Sequence, residues 1–371
     1  MRPLEGLLVL DFSTLLPGPM ASLILAEAGA RVVKIEREDR GDEMRSYEPK
    51  LGEDSVNFVL LNRGKQSIAI DLKAPDAVKR LMPLLQRADV LIEQFRPGVM
   101  ERLGLGYDAL RRINPRLIYC SITGWGQTGP KAQVAAHDLN YIAETGVLGI
   151  SAGADGAPIV PPVLVADIAG GSFPAIMNIM FALRQRDHSG LGCYLDVAMG
   201  DNLLSFLYWG LGNGFSGAGW PRSGKELVSG GSPRYQIYRT ADDRYLAAAP
   251  LEEKFWANFT RIIHLPEALR KPDAPAETVI AAVAEIIAAR TSQDWVEAFE
   301  GHDVCCSIVA TLEEAVKDPH LAARNLFGAV VKADGRQIPA LPVPIAPVFR
   351  SDANRAAAPR LGETTDPLLS I

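Results

Sequence analysis

Short apolar runs recur along the first 120 positions, and segments with a helical period lie between them. Five of these runs have the length and the β-branched content of buried strands: Leu7–Phe12, Arg31–Glu36, Ser67–Leu72, Asp89–Glu93 and Leu117–Ile122. The segments between them predict helices over 20–28, 74–88 and 107–113. Strands that alternate with helices at this spacing are typical of an α/β fold with a doubly wound parallel sheet.

The pattern changes beyond residue 185. A further strand is predicted over Tyr194–Val197 and an apolar helix over Asp201–Leu211, followed by a glycine-rich stretch at 212–233. The hairpin Tyr235–Arg239 with Tyr245–Ala249 then precedes helices near 252–263, 276–289 and 293–299. This succession predicts a second, smaller α+β domain.

The same pattern sets the expected domain boundaries. We predict a large domain over 1–195, a linker over 196–228, a small domain over 229–312, and a linker with a C-terminal return to the large domain over 313–371. The tail from Leu341 is rich in proline and alanine and too weakly periodic to form a domain. We therefore expect it to pack onto the large domain.

Composition narrows the function classes. The 371 residues are 48% hydrophobic and 22% charged, as in a soluble enzyme, and the net charge of −6 argues against nucleic acid or an anionic membrane as partner. No run of consecutive apolar residues has the length of a membrane span. The four cysteines form no C-x-x-C pair, which favours buried thiols in a reducing compartment. We expect a cytoplasmic protein.

Three familiar motifs are excluded. Gly124–Gly129 satisfies G-x-G-x-x-G, but Pro130 and Lys131 follow it where a dinucleotide site needs a helix, so a glycine-rich active-site loop fits better. No G-x-S-x-G nucleophile elbow is present. The five histidines are scattered without metal-ligand spacing, and we expect no metal.

His137 and Asp167 remain as candidates for chemistry. An imidazole and a carboxyl group are well suited to exchange a proton near neutral pH. Each also has a structural interpretation, since His137 precedes a predicted helix and Asp167 is a favoured N-cap residue for a helix over Ile168–Leu183. The glycines in Ala169–Ser172 weaken that helix, and we expect them to leave the backbone open to a ligand oxygen.

Basic residues lie at or just beyond the predicted strand ends of the large domain. Because doubly wound folds bind ligands at this edge, several of these residues together could bind a nucleotide phosphate. The candidates are Arg37, Arg63, Lys65, Lys73, Arg96 and Arg102.

Taken together, several segments resemble the class III CoA-transferase superfamily and, within it, its α-methylacyl-CoA racemase branch. The segments that carry the resemblance run nearly from end to end: Arg31–Arg37, Ala88–Gly98, Arg102–Gly106, Thr123–Pro130, His137–Tyr141, Asp167–Ser172, Gly230–Pro233 and Leu251–Glu252. His137 is typical of the racemases, whereas the transferases have an aromatic residue at that position. The chain departs from the family at Ala136, where glycine is common, which affects the fit of the substrate.

The resemblance implies a Rossmann-like large domain, a smaller domain and an interlocked homodimer. The active site would lie between the large domain of one chain and the small domain of the other. The implied catalytic residues are His137, Asp167 and Glu252, which orients the histidine, with Glu253 as a second candidate. The implied CoA contacts are Arg37, Ile70, Asp71, Leu72, Lys73, Gln94, Phe95, Arg96, Arg102, Ala136, Asp138, Leu139, Asn140 and Tyr141.

The implied reaction is the interconversion of R and S epimers of 2-methyl-branched acyl-CoA thioesters. His137 and Asp167 would remove and return the α-proton through an enolate, whose oxygen the Asp167 helix N-terminus would stabilise. CoA is then part of the substrate, and no separate cofactor is expected. The alternative is CoA transfer between carboxylic acids through an Asp167 acyl anhydride. A CoA-ester-binding protein without turnover is a third interpretation.

Overall fold

The computed structural model describes residues 2–153, 156–350 and 357–364. Contacts within the described chain form two compact units, each with its own core. Unit 1 comprises Met1–Thr145, Pro161–Phe206 and Leu321–Ile371, and unit 2 comprises Gly146–Val160 and Leu207–His320. The segment 146–160, which the sequence placed in the large domain, therefore groups with unit 2.

A six-stranded parallel sheet forms the centre of unit 1, which confirms the predicted α/β fold with a parallel sheet. Its strands stand in the order β5-β2-β1-β6-β7-β8, so the direction of winding reverses between β1 and β6. The first eight strands of the chain are β1 (Leu8–Asp11), β2 (Arg31–Glu36), β3 (Lys50–Leu51), β4 (Asp54–Ser55), β5 (Gln66–Ala69), β6 (Val90–Glu93), β7 (Ile118–Thr123) and β8 (Tyr194–Ala198).

Helices connect these strands. They are α1 (Pro17–Glu27), α2 (Val56–Asn62), α3 (Ala77–Leu85), α4 (Val99–Arg102), α5 (Tyr107–Ile113), α6 (Asp138–Glu144), α7 (Phe173–Ser189) and α8 (Met199–Leu203). Helix α1 begins at Pro17, earlier than the predicted Met20, because proline at the first helical position has its φ preset and needs no N–H partner.

The third predicted strand and the helix after it are both shorter than expected. The strand ends at Ala69, and the helix begins only at Ala77. The side chain of Asp71 accepts the Lys73 N–H, and its carbonyl accepts the Ala74 N–H, so a turn takes the place of the predicted strand end.

A π-helical turn over Ala166–Ser172 leads directly into α7. Residues Ala166–Ser189 are together long and apolar enough to cross a membrane, by length and composition alone. Ala175, Ile179 and Ala182 are buried where α7 packs on β7 and β8. Phe173, Met177 and Phe181 form an exposed apolar stripe on the same helix.

Unit 2 has an antiparallel three-stranded sheet covered by helices. Its sheet order is β11-β10-β9, and Trp256, Phe259, Val283 and Trp295 lie in its core. The elements are α9 (Tyr208–Phe215), β9 (Gln236–Arg239), β10 (Tyr245–Ala248), α10 (Glu253–Ile262), α11 (Ala276–Ala288), α12 (Ser292–Phe299), β11 (Cys306–Ile308), α13 (Leu312–Val316) and α14 (Pro319–Ala323), the last of which continues into unit 1.

The helix predicted over Asp201–Leu211 is wrong as a single element. Helix α8 ends at Leu203, a 3₁₀ turn covers Leu204–Leu207, and α9 follows. The interruption falls where the chain leaves unit 1 and enters unit 2, so no single core supports a continuous helix there. Helix α9 also occupies the first residues of the predicted glycine-rich linker.

The C-terminal part of unit 1 contains a hairpin that the sequence analysis missed, β12 (Val330–Ala333) with β13 (Arg336–Pro339). Val331 packs with Leu51 and Val59, and Val343 packs with Phe58 and the residues of α1. The predicted C-terminal return at 351–356 and 365–371 lies outside the described residues.

Candidate active site

A cavity of about 420 Å³ lies where the strand order reverses, beyond the carboxyl ends of β1, β6 and β7. Doubly wound sheets bind their ligands at this position, because the loops on either side of it diverge and leave a crevice. We call it the central pocket. Its lining residues are Leu15, Pro17, Gln94–Pro97, Ile122–Trp125, Ala132, Val134–His137, Asn140, Tyr141, Asp167 and Met199.

The central pocket brings His137 and Asp167 together. His137 is exposed and stands immediately before α6, where its backbone N–H donates to Asn140 Oδ1 at 3.0 Å. Asp167 is partly buried within the π-helical turn. Burial and the nearby Asp138 carboxylate raise the pKa of Asp167 to about 6, although His137 opposes the shift. The carboxyl group therefore exchanges its proton close to neutral pH.

Asp167 is not an N-cap residue, contrary to the structural interpretation of the sequence. The cap position is Val165, and Asp167 lies inside the turn without a side-chain capping bond. Its backbone N–H donates to Asp138 Oδ1 at 2.9 Å. This N–H is therefore not free to donate to an enolate oxygen. The expectation that it would stabilise the enolate is wrong for this donor.

The glycines after Asp167 serve packing rather than ligand access. A Cβ atom on Gly170 would lie 2.6 Å from the carbonyl oxygen of Met199, and one on Gly171 would lie 3.1 Å from the Met199 side chain. Pro174 has no N–H and cannot donate a helical hydrogen bond to the Gly170 carbonyl. The side chain of Asn202 donates to that carbonyl instead, at 2.7 Å. The expectation of a backbone open to ligand is therefore wrong.

A second cavity in unit 1, of about 570 Å³, contains several of the residues predicted to contact CoA. We call it the outer pocket. Its lining residues are Arg37, Glu38, Asp39, Asp71, Leu72, Lys73, Phe95, Val99 and Leu103. Phe95 lines both pockets.

Other predicted CoA contacts lie in or beside these pockets. Gln94, Arg96, Ala136, Asn140 and Tyr141 line the central pocket. The remaining residues do not line either cavity: Ile70 and Asp138 are buried, and Arg102 and Leu139 are exposed.

Two members of the predicted basic cluster are not available to a phosphate. Arg63 is buried and donates to Glu27 Oε1 at 2.7 Å. Lys65 is fully buried beside Asp11, at 3.2 Å from its carboxylate. Both cations balance internal carboxylates, which the sequence could not distinguish from exposed positive charges at strand ends.

Glu252 and Glu253 belong to unit 2. Glu252 is exposed at the N-terminus of α10, and its side chain makes no capping bond there. Glu253 pairs with Arg234 at 2.7 Å. A cavity of about 580 Å³ in unit 2 includes neither glutamate.

Leu15 lines the central pocket, although nothing in the sequence predicts it there. Leu15 has a φ of +62°, which is a strained value for a residue with a branched side chain. Its N–H donates to Asp42 Oδ1 at 3.1 Å, and Asp42 pairs with the buried Lys34 at 2.9 Å. Met199 was also missed. Neither residue belongs to a recognisable sequence motif, because contacts with residues distant in sequence place both of them at the pocket.

Comparison with known proteins shows the family of this chain. A profile of CoA-transferase family III matches residues 4–365, and the chain belongs to this family. It is 36% identical to human alpha-methylacyl-CoA racemase over 99% of this chain and 92% of that protein. It is 33% identical to the acetyl-CoA:oxalate CoA-transferase of Acetobacter aceti, over 97% and 93% of the two chains.

A solved structure shares the whole fold. The CAIB/BAIF family protein from Brucella suis superimposes with a TM-score of 0.84 at 26% identity, and the match covers 100% of this chain and 99% of that one. The chain is therefore an enzyme of the CoA-transferase family III. Its identity to the racemase relative is similar to its identity to the transferase relative.

Proposed function

We propose that this enzyme interconverts the R and S epimers of 2-methyl-branched acyl-CoA thioesters. The observation that carries the proposal is the placement of His137 and Asp167 on one pocket, with burial and Asp138 raising the pKa of Asp167 to about 6. A carbon acid that is epimerised needs one group to remove the proton and a second to deliver one to the opposite face. A histidine and a carboxyl group with this pKa fit these two roles.

In one direction, neutral His137 takes the α-proton, and the negative charge moves to the thioester oxygen. Protonated Asp167 then delivers its proton to the other face of the α-carbon. The reverse direction begins with the Asp167 carboxylate as base and the imidazolium as acid. No atoms are gained or lost, and the product is the other epimer. Leu15, Pro17 and Met199 give the pocket apolar surface for the acyl chain.

The two pockets suggest how CoA is bound. We place the thioester in the central pocket and the nucleotide end in the outer pocket, whose basic residues are Lys73 and Arg37, the latter paired with Asp39 at 2.8 Å. The pantetheine chain would then pass Phe95, which lines both. No dedicated cofactor is needed, because the proposed chemistry is proton transfer alone.

We further propose that the enzyme works as a homodimer. The apolar stripe Phe173–Met177–Phe181 on α7 is exposed by 39%, 51% and 63%, which is unusual for a core helix and suits contact with a second copy. In this arrangement Glu252 from the small domain of one chain would orient His137 of the other.

Incubation in deuterated water tests the reaction. The enzyme should incorporate deuterium at the α-carbon of a 2-methylacyl-CoA in the absence of any acceptor acid. His137→Ala should reduce this exchange at least about a hundredfold in one direction, because a positioned base contributes that much. His188→Ala is the matched control, since His188 is exposed in the last turn of α7 and outside the pocket.

CoA transfer is the second candidate function. The relative from Acetobacter aceti is a CoA-transferase, and Asp167 could attack the thioester as a nucleophile. This function predicts movement of CoA to a free carboxylate without α-deuterium. That result across a panel of branched acyl-CoAs, or a His137→Ala variant with full exchange, would refute the racemase proposal.

A further inference from the structure

Glu93 is buried at the end of β6 without a cation beside it. Its side chain is 4% exposed, and among the described residues no ion pair involves it. Two other buried carboxylates on strands of this sheet have such partners: Asp11 lies against Lys65, and Glu36 lies against Arg45. A buried carboxyl group without a cation is costly to keep, so hydrogen bonds must hold it.

These hydrogen bonds join two segments of the pocket wall. Glu93 Oε2 accepts the backbone N–H of Phe95 at 2.8 Å. Ser121 is directly opposite Glu93 in the parallel pairing of β6 with β7, and its hydroxyl opposes the rise in the pKa of this carboxyl group. Ser121 Oγ in turn accepts from Gln127 Nε2 at 2.6 Å. Glu93 and Ser121, paired in adjacent strands, therefore link Phe95 to Gln127 through one hydrogen bond at each end.

Phe95 and Gln127, at the two ends of this link, belong to segments that line the central pocket. Gln94–Pro97 follows β6 and lines the pocket, and Phe95 also lines the outer pocket. Gly124 and Trp125, from the glycine-rich loop that contains Gln127, line the central pocket as well. Neither segment contains a helix or strand of its own that would fix its position.

We propose that Glu93 is a positioning residue for acyl-CoA binding, whose carboxylate ties the Phe95 segment between the two pockets to the glycine-rich loop after β7. The proposal rests on the proposed placement of CoA along these pockets. It does not make Glu93 a catalytic residue, because its carboxylate is buried and Glu93 lines neither pocket.

Glu93 also gives this tie a dependence on pH. Burial raises its pKa to about 7, and the groups that face it add no positive charge. They are Glu101 on α4, Tyr119 and Cys120 on β7, and Tyr194 and Asp196 on β8. An ionised carboxylate accepts hydrogen bonds more strongly than a protonated one, so the tie tightens as pH rises through neutrality.

Binding of CoA itself tests the proposal. Its Kd is measured calorimetrically at about pH 6 and about pH 8, on either side of the Glu93 pKa of about 7. Glu93→Ala should raise the Kd about tenfold at the higher pH, since it removes the charged acceptor of the Phe95 N–H and the group opposite Ser121. Glu93→Gln keeps an oxygen for the Phe95 N–H, and its Kd should be near the wild-type value at the lower pH and about threefold weaker at the higher pH.

Glu53→Gln is the matched control, because it removes an exposed charge in the turn between β3 and β4 that neither lines a pocket nor faces Glu93. Its Kd should follow the wild type at both pH values. Ionisation of the CoA phosphates affects all variants alike and cancels in the ratios. With a 2-methylacyl-CoA substrate, Glu93→Ala should raise KM more than it lowers kcat, whereas loss of folded enzyme would lower kcat alone.

Wild-type affinity in Glu93→Ala would overturn the proposal. An equal ratio of Glu93→Gln to wild-type Kd at both pH values would also overturn it, and this ratio decides the matter if Glu93→Ala does not fold. Free CoA has no reacting carbon, so this result is separate from the deuterium exchange. A failure of exchange with the expected CoA ratios would refute the racemase proposal alone.

Discussion

Two buried aspartates show how the partner, rather than burial alone, sets the charge of a carboxyl group in this protein. Asp11 is completely buried, yet Lys34 and Lys65 lower its pKa to about 2 and keep it ionised. Asp167 is less buried, but its carboxylate neighbour is Asp138, and its pKa rises to about 6. The first aspartate is suited to structure and the second to proton transfer.

The Asp138 charge gives a prediction at this scale. In the direction in which the Asp167 carboxylate removes the proton, kcat/KM should fall as pH drops through about 6, because protonated Asp167 is not a base. Asp138→Asn keeps an oxygen for the Asp167 N–H but removes the like charge, which lowers the pKa of Asp167. The acid limb of the profile should move down by about half to one pH unit.

The profile is measured by the initial rate of epimerisation with each epimer as substrate. Asp187→Asn serves as the control, because Asp187 is exposed on α7 and does not line the central pocket. An unchanged acid limb in Asp138→Asn would show that Asp138 does not set the protonation of Asp167.

At the scale of elements, the π-helical turn Ala166–Ser172 fixes the position of Asp167 through close packing. The turn lies against α8 and α1: Gly170 contacts Met199, and Ser172 Oγ donates to the Pro17 carbonyl at 2.8 Å. A π turn adds one residue to a helical turn and often occurs at functional sites. Here it lets two glycines face neighbouring elements while Asp167 faces the pocket.

We expect Gly170→Ala to be destabilising. The added Cβ would lie 2.6 Å from the Met199 carbonyl oxygen, which belongs to a helix and cannot rotate away. Overpacking of this kind costs about 1–3 kcal/mol in the free energy of unfolding, measured by urea denaturation. Gly212→Ala in α9 is the control, since nothing lies within 4 Å of its added Cβ and alanine favours a helix. Equal stability of the two variants would contradict the packing role.

The elements also show what the sequence could predict. Arg31–Glu36 and Tyr107–Ile113 were predicted to the residue, because an apolar run or a helical period is a local signal. The hairpin of β3 with β4 and the helix α2 were missed, since their short segments are stabilised by packing with the distant Val331 and Val343. The π turn was likewise invisible, because its cause lies in α8 and α1.

The same distinction applies to the site. His137 and Asp167 could be predicted from their chemistry and from the motifs around them, and the structure places both on one pocket. The buried state of Arg63 and Lys65, the bond from Asp167 to Asp138, and the tie at Glu93 could not be predicted. Each depends on residues that are distant in sequence and meet only at the edge of the folded sheet.

For the whole molecule, the exposed stripe on α7 is the feature that an isolated chain does not explain. Met177 and Phe181 follow Phe173 at intervals of four residues on a helix whose other face is buried against the sheet. Three large apolar side chains on one helix face are unfavourable in water. Each Å² of this apolar surface that a partner covers stabilises the association by about 25 cal/mol. A second copy that covers this stripe would remove that cost.

Phe181→Glu tests this arrangement, because Phe181 is 63% exposed and a charge there should be tolerated by the fold. If the stripe lies in the dimer interface, the substitution buries an unpaired carboxylate in it and should weaken association by about 2–5 kcal/mol. Sedimentation velocity should then show a monomer where the wild type is a dimer. Deuterium exchange should fall with it if Glu252 of one chain orients His137 of the other.

Leu191→Glu, at an exposed turn after α7, should leave both the mass and the exchange unchanged. A wild-type monomer with full activity, or a Phe181→Glu dimer, would show that the stripe is not the contact between copies.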